Sequence, residues 1–175
     1  SSWTALNNVK LASSQTLTTS RSIHSLNIQD TAGRTLTIAA QTATAPQTLV
    51  INSGGILSTR ATHTITGGFL TAGTYAGSAS PYELMFYLPT NQLNVNSVIT
   101  DNGTPVSVTK SGASVLVLSP QIALNVARTN GISTVNLGAS HQTNQIQVGA
   151  TVTGPGIPAG TTVIAINSAT QIVLS

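Results

Sequence analysis

The sequence predicts an all-β chain wound as a solenoid, and three observations carry that expectation. The first is local: residues 21–73 hold short apolar pulses, SLNI, TLTI, TLVI, GGIL, HTITGG and FLTAG, separated by Gly, Ser, Thr, Asn and Asp. Each pulse alternates apolar with small or polar residues, as a strand with one buried face must, and no apolar repeat of helical period interrupts them. The second is the recurrence of the pulses. Leu26 and Leu49 are 23 positions apart, Leu36 and Leu57 are 21, and Leu49 and Leu70 are 21. A repeat of about 20–25 residues carrying several short strands is one coil of a β-solenoid. The third is composition: 40% of residues are hydrophobic, 5% charged and 3% aromatic. Disorder couples low hydrophobicity to high net charge, the reverse of what is found here. A core of Leu, Ile and Val with few rings suits the narrow interior of a stacked coil.

The chain of 175 residues suits one domain or one segment of a longer solenoid. Residues 1–20 supply Leu6, Val9, Leu11 and Leu17 for irregular first coils, with Trp3 as a plug over the open end. In residues 21–73, Gly54-Gly55 and Gly67-Gly68 mark sharp turns, Asp30 and Gly33 fit the turn between LNI and LTI, and Pro46 falls in a connection. Residues 74–92 break the rhythm, gathering all three tyrosines, Met85, Phe86 and Glu83. They read as a loop that leaves the stack, followed by a strand over 83–88 that rejoins it. Coils resume over 93–119, with Asn102-Gly103 as a tight turn. Pro120 opens a connection. The remainder changes character: GPGIPAG at 154–160 is a rigid bent loop between ATVT and TTVIAI, and the closing QIVLS reads as a strand with no cap after it. The expected division is residues 1–128 as solenoid coils and 129–175 as a small β module, incomplete or continued by a neighbour.

Residue supply argues against catalysis. The acids are Asp30, Glu83 and Asp101. Glycoside hydrolysis needs two carboxyl groups about 5–9.5 Å apart, whereas Asp30 and Asp101 on stacked coils would be separated by roughly 14 Å along the axis; Glu83 and Asp101 are left as a pair by spacing, but both read as turn or strand-edge residues. Three scattered acids also make no calcium cage. His24, His63 and His141 lack zinc-ligand spacing, and no GxSxG elbow accompanies them. His24 and His63 lie inside strand pulses, packed or facing out. No glycine cluster leads into a helix as a phosphate loop does. The expectation is a chain that is not an enzyme and has no cofactor and no metal.

The formal charge of +3 and pI of about 9.8 come from six scattered bases, with no basic run and no interleaved aromatics, so no nucleic-acid partner is expected. With no cysteine there is neither a disulfide nor a thiolate site. No apolar stretch approaches the 18 residues of a membrane-spanning helix, so no membrane insertion of this segment is expected. Ser1 begins no signal peptide; export would make the chain a processed product or an excerpt. The candidate contact surface is aromatic: Tyr75, Tyr82, Phe86 and Tyr87 on a rigid scaffold.

The segments TLVINSGGIL, TITGGFLTAG, YELMFYL, SVITDNG and VTKSGASVLVLS resemble the passenger regions of bacterial autotransporter-type proteins and their associated β-strand repeat, over residues 20–119. The sequence departs from that repeat at Ser114-Val115 and Ser119-Pro120, where the family has further Gly-Thr and Ser-Gly. The tail VGATVTGPGIPAGTTVIAINSATQIVLS is similar to a GIPAGT-type β module of large bacterial surface proteins and phage-tail-like proteins. The resemblance implies a right-handed parallel β-helix followed by a small C-terminal β module, in a secreted, surface-exposed stalk, fibre or adhesin. It implies no activity and no cofactor. The uncapped strand QIVLS leads to an expected partner: a second copy packed end to end, or covalent continuation of a longer chain. Two other readings follow, a carbohydrate- or receptor-binding module using the aromatics of 75–88 on surface glycans, and a trimeric phage tail-fibre segment.

Overall fold

The computed structural model describes residues 3–39, 47–74, 82–120, 131–137, 146–154 and 156–175. These fall into two compact units, the first within residues 3–120 and the second within 131–175. Pro46, the expected boundary at 128 and 129, His141 and Pro155 lie outside the described residues.

The first unit is built from β1 (Asn8–Lys10), β2 (Gln15–Leu17), β3 (Arg21–Ile23), β4 (Ser25–Gln29), β5 (Thr35–Ile38), β6 (Thr48–Ile51), β7 (Gly55–Thr59), β8 (His63–Thr66), β9 (Phe69–Ala72), β10 (Glu83–Tyr87), β11 (Leu93–Val95), β12 (Val98–Ile99), β13 (Ser107–Ser111) and β14 (Leu116–Leu118). Every third strand joins the same sheet. The orders are β1-β4-β7-β10-β13, β2-β5-β8-β11-β14 and β3-β6-β9-β12. All pairings among them are parallel, so the chain climbs through three sheets in turn as a β-solenoid, with no helix among the described residues.

The interior follows from alternation. In β4, β5, β6 and β7 buried positions alternate with half-buried ones, and the register stacks the buried ones into columns. Val9, Leu26, Ile56 and Phe86 form one column of the first sheet. Leu36, Ile65 and Val95 form one in the second, continued by exposed Leu118, and Leu49 and Leu70 one in the third, continued by half-buried Ile99. Each fully buried Leu or Ile contributes about 1.5–3 kcal/mol by leaving water. These ladders, with backbone bonds running along the axis, are what hold the stack together.

Of the three leucine spacings read from the sequence one is a pairing, although spacings of 21 and 23 also occur at β2–β5 and β11–β14. Leu49 does stand opposite Leu70, but Leu26 pairs with Ile56 and Leu36 with Ile65. The reason is that the connections differ in length: β8 and β9 are joined by residues 67–68, β5 and β6 by residues 39–47. Register is set by which side chains fill the interior, so a long corner lengthens the repeat without moving a column.

Glycine is required where one rung rests on the next. Gly54 has φ 71°, and a Cβ there would run into the backbone carbonyl of Glu83. The Asp30 turn forms as its sequence predicts: Ala32 N–H donates to Asp30 Oδ1 at 2.8 Å, and Arg34 Nη2 donates to Oδ2 at 2.8 Å. Trp3 packs half-buried against the solenoid core, to which the buried Val9, Leu11 and Leu17 of the first rung belong.

The second unit is a three-stranded antiparallel sheet of β15 (Thr134–Asn136), β16 (Val163–Ser168) and β17 (Gln171–Leu174) in the order β15-β17-β16. Its core is Val135, Leu137, Val163, Ile172 and Leu174, with Ile146 and Val152 packed against it. The 154–160 loop is bent as expected: Gly156 has φ 72°, Gly160 has φ 84°, and the Thr161 hydroxyl donates to the Pro158 carbonyl at 2.8 Å. The sequence reading of QIVLS as an uncapped strand is corrected. β17 is the central strand, bordered on both sides, because its alternation buries Ile172 and Leu174 against neighbours from both β15 and β16.

Candidate functional site

Alternation decides where the aromatic candidates point. In β10 the sequence ELMFY places Leu84 and Phe86 on the inner face and Met85 and Tyr87 on the outer one. Phe86 is only 1% exposed and stacks on Ile56, so it is a core residue and belongs to no contact surface. Tyr82 is half-buried and packs against the core, its carbonyl accepting from Ser107 N–H at 2.9 Å. Tyr87 is 52% exposed. Tyr75 lies outside the described residues. The surface that forms is therefore Tyr87 with Met85, which is 43% exposed and was not among the sequence candidates, and with Leu57 opposite Tyr87 in register. The period-two rule applied to ELMFY would have found Met85 and excluded Phe86.

The three acids are used separately. Asp30 holds Arg34, and the Ala32 amide together with the Arg34 guanidinium keeps its carboxyl below the ordinary value of 3.8. Glu83 accepts a hydrogen bond from the Thr109 hydroxyl across the β10–β13 pair. Asp101 Oδ1 accepts from Val106 N–H at 2.9 Å and organises the turn before β13. Among the described residues no three His, Cys, Asp or Glu side chains gather as metal ligands.

His63 is packed and fully buried. Its Nδ1 accepts from Arg34 N–H at 3.0 Å, which leaves Nε2 to donate to the Thr59 carbonyl, also at 3.0 Å. One ring thus ties the corner before β5 to the corner before β8, a structural use of a titratable side chain. Ser58 and Ser97 are also buried, and neither hydroxyl has a partner among the described residues.

The last rung is the most open part of the first unit. All five residues of β13 are exposed, Val108 by 41%, and Leu118 in β14 is 50% exposed. Ser107 N–H donates to Tyr82, and Ser111 C=O accepts from Leu88, so the odd positions of β13 bond inward to β10. A strand alternates the direction of its backbone groups, so Val108 and Lys110 direct their N–H and C=O groups away from the stack. β14 repeats this: Val115 C=O accepts from Leu93 and Ser119 N–H donates to Val95, leaving the backbone groups of Leu116 and Leu118 directed away from the stack. Both strands are the final members of their sheets. Lys110 occupies the column of Phe86, over the open interior, with its ammonium donating to the Gly112 carbonyl at 2.6 Å.

No family model, no curated protein and no solved structure matches this chain.

Proposed function

We propose that this chain is a non-enzymatic structural or adhesive segment of an extracellular bacterial surface protein or fibre, of the autotransporter-passenger kind that its repeats resemble. The observation that carries the reading is the β13–β14 end. Outward-facing backbone groups and exposed Val108 and Leu118 make it an edge on which another strand can be added. Elsewhere the side chains serve the stack: the interior is filled with aliphatic columns, and Asp30, Glu83 and Asp101 each close a local hydrogen bond. The job is mechanical, a stiff rod whose cross-section repeats along the axis and whose end is an attachment face. Electron imaging of the full chain tests it: end-joined rods are expected, and isolated particles at high protein concentration would count against it.

A second reading rests on exposed Tyr87 and Met85, with half-buried Leu57 opposite Tyr87, on the outer face of the first sheet. It supports a glycan- or receptor-binding surface, since a sugar ring stacks on an exposed aromatic face. Tyr87→Ala should abolish binding on a glycan array with the fold intact; an array on which neither protein binds would remove this reading.

A further inference from the structure

The solenoid's open end carries a charge as well as an edge, and the charge says something about the partner. Lys110 follows Phe86 in an interior column, the one place in that column where an aliphatic or aromatic residue is replaced by a cation. Its ammonium is exposed and holds the Gly112 carbonyl with one of three donors, and it makes no ion pair among the described residues. A strand added to β13 would cover Val108 with one residue and Lys110 with the residue two further on, because same-face positions are two apart. Covering the ammonium with an apolar side chain would bury an unpaired charge, which is costly, whereas a carboxylate at that position would pair it.

We propose that the β13 edge accepts an extended strand from a different chain, one that places an apolar residue over Val108 and a carboxylate over Lys110. The inference rests on reading the open end as an assembly edge, and it narrows who can occupy that edge. Within the 175 residues the acids are Asp30, Glu83 and Asp101, so neither residues 1–29 nor residues 124–175 of a second copy would lay a carboxylate over Lys110. Two copies joined by a two-fold contact through β13 would set Lys110 against Lys110 or Val108, and in neither case against a carboxylate. The acids this chain does have are committed to Arg34, to Thr109 and to the turn before β13.

The test uses the full chain and two fluorescein-labelled peptides, Thr-Val-Thr-Glu-Thr-Val-Thr and the same sequence with Lys in place of Glu, read by fluorescence anisotropy. The Glu peptide should bind about tenfold tighter than the Lys peptide, and Lys110→Glu should reverse that preference. Val108→Pro removes an N–H that points outward while sparing the bonds to β10, so it should abolish binding with circular dichroism and Tm retained. Equal affinity for the two peptides overturns the carboxylate, and binding that survives Val108→Pro overturns the edge. A chain that self-associates through β13 and ignores both peptides overturns the acidic partner while leaving end-on assembly standing. A monodisperse chain that binds neither peptide overturns both.

Discussion

The two ends of the solenoid are made from the same kind of strand and finish differently. At the first rung Val9, Leu11, Leu17 and Ile23 are buried, with Trp3 packed against the core they belong to. At the last rung Val108 and Leu118 stand in corresponding inward columns and are 41% and 50% exposed. Both rungs end in strand edges, so backbone hydrogen bonding alone does not distinguish them. The difference is whether side chains cover the interior. Trp3 packs against the core to which the first rung belongs, and at the other end Lys110 follows Phe86 in its column. One end is thereby packed and the other a face that gains from being covered.

Matched truncations give the largest expected contrast. Leu17→Ala at the closed end should destabilise by about 2–4 kcal/mol, as cavities in well-packed cores do. Leu118→Ala at the open end should cost within about 0.5 kcal/mol, as for surface positions. Urea unfolding of both variants measures this, and equal losses would erase the distinction between the ends.

Between the ends, each rung must fit the next, and Gly54 is the tightest point. Gly54→Ala forces a side chain into φ 71° and against the Glu83 carbonyl, at an expected cost of about 1–3 kcal/mol in thermal unfolding. A neutral result would mean that β7 and β10 are not stacked in this register.

A smaller effect of opposite sign is expected at Ser58, whose buried hydroxyl lies in register with Ile28 and finds no partner among the described residues. Ser58→Ala should stabilise by about 1 kcal/mol, since an unsatisfied buried group is removed. Loss of stability instead would show that the hydroxyl is bonded.

The smallest effect is the acid dependence of the Asp30 corner. Its folded-state pKa is depressed below 3.8, so its contribution is fully present above 3.8 and is lost as pH falls through the lower folded value. Asp30→Asn should therefore flatten the stability profile below about pH 4 and leave its shape above that unchanged. A difference in slope near neutral pH would place the effect elsewhere.

Much of the fold was legible because strands buried on one face announce themselves by alternation. SLNI, TLTI, TLVI, GIL and HTIT all lie in strands, and the Asp30 and Gly54 turns carry the chemistry that turns need. The repeat length was not legible, because spacing in sequence adds corner lengths that vary while register does not. Leu26 finds Ile56, well beyond Leu49, for that reason. QIVLS misled because pairing partners are invisible in a strand's own residues, and β17 has one on each side. At the aromatic site residue type alone points to Phe86 with Tyr87, but neighbours on a strand face opposite ways, and parity pairs Tyr87 with Met85 instead. Lys110 carried no signal at all until the register put it in the column of Phe86.

The most direct test of the open end is residue-resolved amide hydrogen exchange on the full chain. Val108, Lys110, Leu116 and Leu118 should exchange rapidly, while Thr109, Ser111 and Val117, whose amides face β10 and β11, should be protected. Alternating fast and slow amides along β13 and β14 is the result this account predicts. Uniform protection along β13 would mean that its outer edge is already paired, and the open end would have to be abandoned.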